Sequence, residues 1–149
     1  VHKFFQSLEK RDAAATVAAY AADVHYSDPL LGELSGRAAR ARWPSFLQKA
    51  LDLSVRFFIV SADEENVRAS YHLDYRDAAT GRQITIGVLT EFTIRDDKIV
   101  RQVDDFSTRR FAALKLGAKG RWFGFLPSLR RKLQQEARDE LEAFLKSSG

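Results

Sequence analysis

Two aspartates are the residues of this sequence best placed to carry out acid–base chemistry. Asp28 is followed by Pro29, which fixes its own φ and keeps Asp28 out of the helical region, so the carboxylate lies at a fixed corner. Asp104 alternates with polar and apolar neighbours on a predicted strand whose inward face carries Gln102 and Phe106. A carboxylate shielded from water is a stronger base, so either aspartate could remove a proton from a substrate.

Each aspartate also has a purely structural interpretation. Asp28 could cap the turn before Pro29, as aspartate commonly does. Asp104 could form an ion pair with an arginine that the sequence does not identify, because an unpaired buried carboxylate is costly. If both side chains point inward, we expect one to hold a proton for the other, since two nearby carboxylates do not both ionise cheaply.

Further side chains on the same predicted faces would form the wall of a substrate pocket. Tyr71 and Tyr75 could donate phenol hydrogen bonds to a carbonyl group, although ordinary core packing would also explain them. Trp43 is interpreted as part of the wall. The predicted substrate-binding set consists of Tyr26, Trp43, Tyr71, Tyr75, Val88, Thr90, Gln102 and Phe106.

The elements that must position these residues follow from periodicity. Apolar residues at helical spacing predict helices over residues 1–10 and 13–20, and a basic helical segment follows Gly36, with Pro44 starting or kinking a piece that runs to residue 51. From residue 53 the period changes to two, which predicts long strands over 53–62, 66–77, 82–95 and 99–107. Helices followed by an antiparallel meander predict an α+β fold with helices against one face of the sheet.

The C-terminal part of the chain has a different pattern. We divide the sequence into a domain of residues 1–116 and an amphipathic helical extension of residues 117–149. The extension is expected to pack on the same domain or on a dimer partner, because its polar face carries both signs of charge rather than the mostly cationic charge of membrane-binding helices. Phe123 and Phe125 are expected to plug the open end of the sheet or the seam with a partner. The apolar stripe comprises Leu126, Leu129, Leu133, Ala137, Leu141 and Leu145.

Composition sets further limits. A chain of 149 residues with 45% hydrophobic and 30% charged residues has the size and composition of one globular domain. No apolar run approaches the ~20 residues of a membrane span. The absence of Cys excludes disulfides and thiolate metal sites, and no His cluster has ligand spacing, so we expect neither a metal nor another cofactor. A cytoplasmic location is expected, although the chain opens at Val1 without Met and upstream residues could include a signal peptide.

Two basic patches, residues 37–42 and 121–132, could contact phosphate groups or an anionic membrane surface. Solvated helix faces are the favoured interpretation of both, because acidic residues after position 135 balance the charge of the extension. We therefore expect no nucleic-acid partner and no membrane span.

The first two-thirds of the chain resembles the nuclear transport factor two-like superfamily, which includes SnoaL-like polyketide cyclases and ketosteroid isomerases. Tyr20, Asp23 and Asp28-Pro29 match the helix end and acidic corner of ketosteroid isomerases without a gap, and Gly36 begins the next helix as in that family. The resemblance implies a cone-shaped, bent antiparallel sheet with helices on its concave side around a hydrophobic pocket. It also implies that Asp28 is the base, or that Asp104 is, as in SnoaL-like cyclases.

The departures from these families limit the expected activity. Phe4 and Thr90 stand where ketosteroid isomerases have the Tyr and the protonated Asp that stabilise the dienolate, so we expect little or no steroid isomerisation. Limonene epoxide hydrolases use an Asp-Arg-Asp arrangement, and we predict no Arg on the pocket face.

Three functions remain open. The first is cofactor-independent proton transfer, as isomerase, cyclase or hydratase, on an apolar oxygenated substrate. The alternatives are a non-catalytic domain that binds an apolar ligand and a protein-interaction module. A homodimer is expected to form through the opposite face of the sheet, which carries Arg68, Ser70, His72 and Asp74.

Overall fold

The computed structural model describes residues 1–124 and 126–148 of the chain. In these residues, six helices accompany six strands. The helices are α1 (His2–Glu9), α2 (Ala13–Ala18), α3 (Gly36–Leu47), α4 (Thr108–Leu116), α5 (Ala118–Phe123) and α6 (Pro127–Ser147). The strands are β1 (Tyr20–Asp28), β2 (Gly32–Ser35), β3 (Ala50–Ala62), β4 (Asn66–Asp77), β5 (Gln83–Arg95) and β6 (Lys98–Asp105).

The strands form one curved sheet in the order β2-β1-β6-β5-β4-β3. Neighbouring strands are antiparallel except β1 and β6, which pair in parallel. The predicted α+β class, with a bent sheet, helices and a C-terminal helical extension, is confirmed. The sequence analysis predicts neither β2 nor the parallel pairing of β1 with β6, which places Tyr26 beside Gln102.

Period-two alternation on the central strands produces the inner face of the sheet. On β4, Ala69, Tyr71, Leu73 and Tyr75 are buried, as the alternation predicted. Tyr71 lies opposite Val88 of β5. Thr90 of β5 in turn lies opposite Asp104 of β6. Because side chains alternate across a strand, these residues all face the helices that cover the sheet.

Helix α1 fills one end of the inner face with aromatic rings. The ring of Phe4 lies 5.8 Å from that of Trp43 and 5.6 Å from that of Phe92, both in edge-to-face arrangements that aromatic pairs prefer. Helix α3 presents Trp43 to this cluster. Pro44 does not start a separate helix, because α3 runs through it as one helix, and α3 ends at Leu47 rather than at residue 51, where the chain is already in β3.

Helix α6 covers the cavity side of the domain and packs against α3. Its apolar stripe buries Leu129, Leu133 and Leu141, and Gln134 Nε2 donates a hydrogen bond to the carbonyl oxygen of Pro29 at 3.1 Å. These three leucines are therefore covered by their own domain, whereas Leu126 at the start of the stripe is exposed. Among the residues that the structure describes, no helix is long and apolar enough to cross a membrane.

Phe123 does not plug the open end of the sheet, because it is 52% exposed at the end of α5. Its alternative position, in the seam with a partner, stays a prediction. Phe125 lies outside the described residues. The residues of α4 and α6 that line the cavity include Phe111, Leu133 and Leu141, and none of the lining residues belongs to α5.

Candidate functional site

A cavity lies between the inner face of the sheet, α3 and α6. It measures about 120 Å³ as the space open to the centres of water molecules, which is room for roughly ten waters at about 10–15 Å³ each. Its walls are mainly apolar, with charged groups at two places. The lining residues are Asp28, Leu30, Leu31, Arg42, Ser45, Phe46, Lys49, Tyr71, Leu73, Tyr75, Asp77, Ile86, Val88, Phe106, Phe111, Lys115, Leu133, Ala137, Glu140 and Leu141.

Asp28 ends β1 and lies in the cavity wall with its carboxylate buried. Its Oδ1 accepts the backbone N–H groups of Leu30 at 2.8 Å and Leu31 at 2.6 Å, which is the turn-capping role that the sequence allowed. Its Oδ2 accepts the phenol of Tyr26 at 2.7 Å. The two interpretations of Asp28 therefore apply to its two oxygens, since one holds the turn and the other belongs to the polar network of the site.

Arg42 of α3 is the residue of this site that the sequence analysis missed. Its Nε lies 3.7 Å from Asp28 Oδ2 and donates to the hydroxyl oxygen of Tyr26 at 3.1 Å. Its side chain is only 15% exposed, and the guanidinium lies over the ring of Trp43 at 4.3 Å from the centroid. Burial disfavours the charged guanidinium, but the neighbouring Tyr26 and Asp28 outweigh it and raise the pKa of Arg42.

The position of Arg42 corrects two predictions of the sequence analysis. Residues 37–42 are not entirely a solvated helix face, and the pocket does contain an arginine. The signal that could have identified it is the helical spacing of α3. Arg42, Ser45, Phe46 and Lys49 recur at i, i+3, i+4 and i+7, which places them on one stripe beside the core stripe that carries Trp43.

Asp104 lies one layer beneath the cavity rather than in its wall. Its Oδ2 accepts the phenol of Tyr71 at 2.6 Å and lies 3.0 Å from the hydroxyl of Tyr26, while Gln102 Nε2 donates to Oδ1 at 3.0 Å. Within the described residues no arginine forms an ion pair with it. Burial raises the pKa of Asp104, and the hydrogen bonds from Tyr71 and Gln102 oppose this rise without cancelling it.

The hydroxyl of Tyr26 joins the two carboxylates. It lies within hydrogen-bond distance of Oδ2 in both Asp28 and Asp104, yet a phenol has one proton and can donate to only one of them. A proton on Asp104 would satisfy both contacts of Tyr26, because the carboxyl group could then donate to the hydroxyl oxygen of Tyr26 while the phenol of Tyr26 donates to Asp28. That one aspartate holds a proton for the other stays a prediction.

A second row of polar groups supports the network from below. Trp43 Nε1 donates to the hydroxyl of Tyr20 at 2.8 Å, and Tyr20 donates to Oε1 of Gln102. Gln102 then contacts Asp104, so the row fixes the orientation of this carboxylate. The hydroxyl of Thr90 is also buried and has no hydrogen-bond partner among the described residues. Tyr20 entered the sequence analysis only through the family pattern, and its contacts could not be read from spacing.

The structure thus divides the predicted site residues into two groups. Asp28, Tyr71, Tyr75, Val88 and Phe106 line the cavity, whereas the others form the polar layer beneath it. That layer comprises Tyr26, Trp43, Thr90, Gln102 and Asp104. In the described part of the chain, no group of three or more acidic, His or Cys side chains could hold a metal ion.

The mouth of the cavity carries its second set of charges. Lys49, in the turn between α3 and β3, forms a salt bridge with Glu140 of α6, and both side chains are about one-third exposed. Asp77 and Lys115 also line this end. The sequence analysis did not assign these residues to the site, because nothing in the spacing of α6 indicates that it lies across the sheet.

Comparison with known proteins identifies the family to which this arrangement belongs. The family model of the SnoaL-like domain matches residues 1–102. The chain belongs to the SnoaL-like domain family. No curated protein matches it significantly in sequence.

Solved structures of SnoaL-like and related proteins share the fold. A candidate polyketide cyclase from Xanthomonas campestris pv. campestris is 23% identical, with a TM-score of 0.63 over 76% of this chain and 91% of that chain. A protein with a ketosteroid isomerase-like fold from Catenulispora acidiphila DSM 44928, solved with trimethylamine, is 15% identical, with a TM-score of 0.67 over 76% and 89%. TerC, co-crystallised with polyporic acid, is 19% identical, with a TM-score of 0.63 over 78% and 95%.

Proposed function

We propose that this SnoaL-like protein binds an apolar, oxygenated small molecule and catalyses a cofactor-independent proton transfer on it, as an isomerase, cyclase or hydratase. The observation that supports the proposal is the placement of Asp28, Arg42 and Tyr71 in the wall of one largely apolar cavity. A base, a cation and a phenol that face the same enclosed space are the groups that proton abstraction beside a carbonyl requires.

In this proposal Asp28 is the base. Its Oδ1 is held by the two backbone N–H groups of the turn, so the carboxylate is fixed in place while Oδ2 remains the oxygen directed at the network of the site. Arg42, 3.7 Å from this oxygen, would stabilise negative charge as it develops on the substrate. Its burial strengthens that interaction, because charges interact more strongly where water is excluded.

Tyr71 is proposed as the donor to the substrate oxygen, with Asp104 behind it as a positioning residue. Burial raises the pKa of Tyr71, so its phenol stays protonated and able to donate. When Asp104 holds a proton, it can donate to the oxygen of Tyr71 and leave the phenol proton free for the substrate. Tyr71 and Asp104 would together take the place of the Tyr and Asp that stabilise the oxyanion in ketosteroid isomerases. Phe4 and Thr90, which stand at those two positions, do not line the cavity.

The substrate class follows from the walls. Leu30, Leu31, Phe46, Leu73, Ile86, Val88 and Phe106 offer apolar contacts, and the polar groups lie at the floor and at the mouth. A flat or compact carbocyclic ketone or enol fits such a space. Polyporic acid in TerC and the polyketide cyclase description of the Xanthomonas protein support an oxygenated ring compound, because those proteins share the fold.

Solvent deuterium exchange tests the proposal without knowledge of the product. A panel of apolar ketones and cyclic 1,3-diketones would be incubated with the protein in D₂O, and loss of α-proton signal followed by NMR. We expect accelerated exchange for at least one compound, and a loss of about 10²-fold or more in Asp28→Asn and in Tyr71→Phe. Tyr75→Phe is the matched control, because Tyr75 lines the same cavity without contacting Asp104.

Ligand binding without catalysis is the second candidate function. It is favoured by the number of donors that already engage Asp28, since a base must give up part of such contacts to take a proton. Saturation-transfer NMR with the same panel separates the two functions. A compound that binds but shows no exchange above background would replace the catalytic proposal with the binding one.

We also propose that the protein forms a homodimer through the outer face of the sheet. Phe58, Val60 and Leu89 are exposed there, and Phe58 and Leu89 both lie opposite Ser70, so the rings and methyl groups form one row across three strands. Sedimentation velocity should show a dimer that Phe58→Asp with Leu89→Asp converts to a monomer. A monomeric wild-type protein at micromolar concentration would contradict this assembly and remove the support for an interaction module.

A further inference from the structure

Residues 106–135 carry an unusual charge distribution. This segment contains eight Lys and Arg residues and no Asp or Glu, whereas the remaining 119 residues carry 16 Lys and Arg against 20 Asp and Glu. The net positive charge of the chain therefore comes from this one segment. The eight cations are Arg109, Arg110, Lys115, Lys119, Arg121, Arg130, Arg131 and Lys132.

Large apolar side chains are exposed in the middle of this segment. Trp122 is 70% exposed, and Phe123 and Leu126 are exposed beside it. The N–H of Leu126 donates to the carbonyl of Phe123 at 3.0 Å, and the N–H of Arg130 donates to the carbonyl of Leu126 at 3.1 Å. These residues therefore occupy successive turns where α5 leads into α6. We refer to Arg121, Trp122, Phe123, Leu126, Arg130 and Arg131 as the α5–α6 corner.

The fold holds the corner outward through two glycines. A Cβ atom added to Gly120 would lie 1.9 Å from the carbonyl oxygen of Ala112, so α5 packs backbone against backbone on α4. A Cβ atom added to Gly124 would lie 2.3 Å from the carbonyl oxygen of Gly120. With these glycines in the interior, the neighbouring Arg121, Trp122 and Phe123 are exposed. Their exposure is thus a consequence of close helix packing rather than of a loose end.

We propose that the α5–α6 corner docks on an anionic lipid membrane surface. Trp and Phe at the centre would insert at the level of the headgroups, where Trp is enriched in membrane proteins, and the surrounding cations would contact the anionic headgroups. None of Lys119, Arg121, Arg130 or Arg131 forms a salt bridge with another described residue, so these cations are available to a partner. This proposal replaces the solvated-face interpretation of residues 121–132.

A membrane fits the corner better than a nucleic acid does. Both partners attract the cations, but base recognition would use the rings as stacking platforms, and the aliphatic Leu126 adds nothing to stacking. An interfacial site requires instead a contiguous apolar group that includes aliphatic and aromatic side chains, with Lys and Arg around it. Helix α6, which carries part of the corner, also borders the cavity through Leu133 and Leu141. If the proposed function holds, docking would bring the cavity close to lipid-dissolved apolar ligands.

Vesicle flotation of the full chain tests the proposal. The protein should float with vesicles of phosphatidylglycerol and phosphatidylcholine, and at least about tenfold less with phosphatidylcholine alone. The triple variant Arg121→Glu, Arg130→Glu, Arg131→Glu and the double variant Trp122→Ala, Phe123→Ala should each lower the affinity for anionic vesicles by about tenfold or more. All substituted residues are exposed, and thermal melting would show that the variants remain folded.

A matched charge control lies at α1, outside both the corner and the proposed dimer face. Lys3→Glu with Lys10→Glu alters exposed cations and should leave flotation unchanged. Trp122 provides a direct readout, because Trp43 is fully buried: vesicles should shift the tryptophan emission to the blue in the wild type and not in Trp122→Phe.

Several outcomes would overturn the proposal. They are an absence of flotation with anionic vesicles, an equal loss of flotation in the α1 charge control, or an unchanged emission spectrum on binding. Binding of a 30-nucleotide RNA or DNA at physiological salt that requires the corner, in a protein that does not float, would overturn it in favour of a nucleic-acid surface. Failure of the deuterium-exchange test has no bearing on flotation, so the two proposals can fail separately.

Discussion

The floor of the cavity and its mouth both contain a pair of opposite charges, but the two pairs differ in their surroundings. At the floor, Arg42 and Asp28 are buried and share the hydroxyl of Tyr26. At the mouth, Lys49 and Glu140 are about one-third exposed and bridge the turn after α3 to α6. Buried pairs with hydrogen bonds to fixed neighbours keep a defined geometry, whereas exposed pairs contribute little energy. If the proposed function holds, the floor carries the chemistry, and we infer that packing, rather than charge, holds α6 over the mouth.

The largest effect is expected from Asp28→Asn at the floor. Asn Oδ1 can still accept the N–H groups of Leu30 and Leu31, so the turn should survive while the base is lost. Turnover in the deuterium-exchange assay should fall by about 10²–10⁴-fold, with little change in melting temperature. Retained exchange would assign the base to another residue and remove the functional difference between floor and mouth.

The next largest effect is expected from Leu141→Ala on α6. Leu141 is buried against the core and lines the cavity, so truncation should lower the free energy of unfolding by about 2–5 kcal/mol, measured by urea titration. Leu126→Ala on the same stripe is the matched control and should cost at most about 0.5 kcal/mol, because Leu126 is exposed. Equal costs for the two variants would mean that packing does not hold α6 in place.

A smaller, pH-dependent effect is expected from Asp104→Asn. Because burial raises the pKa of Asp104 in the folded state, folding takes up a proton, and this contribution to stability is present below the ordinary pKa of aspartate and lost as pH rises through the raised value. The variant should not lose stability as the pH rises, and at pH 8 its free energy of unfolding should exceed that of the wild type by about 0.5–2 kcal/mol. Chemical denaturation at pH 4 and pH 8 measures the difference. A variant destabilised at both values would show that the carboxylate is a structural anchor.

The smallest effect on stability is expected at the mouth. Glu140→Gln breaks the salt bridge with Lys49 and should change the free energy of unfolding by less than about 1 kcal/mol, since both groups are partly exposed. Glu142→Gln is the control, because Glu142 lies two residues further along α6 at an exposed position. A loss of several kcal/mol in Glu140→Gln alone would show that charge at the mouth matters as much as charge at the floor.

Local sequence determined most of the fold. The period-two alternation of β4 and β5 identified which side chains face inward, because the pleat of a strand leaves no other choice. The Asp28-Pro29 corner likewise followed from the backbone restrictions of proline. The burial of the α6 stripe followed from the cost of leaving leucines in water. These features depend on residues close together in the chain.

Tertiary structure decided which of the inward residues share a cavity. Asp28 and Asp104 are 76 positions apart, and only the parallel pairing of β1 with β6 brings both within reach of the hydroxyl of Tyr26. Arg42 appeared to belong to a charged helix face until the rotation of α3 turned its stripe toward the cavity. The covering of that cavity by α6 depends on contacts across about 100 residues, such as Gln134 with Pro29 and Glu140 with Lys49. Periodicity reports which side of an element is apolar, but it carries no information about which other element that side meets.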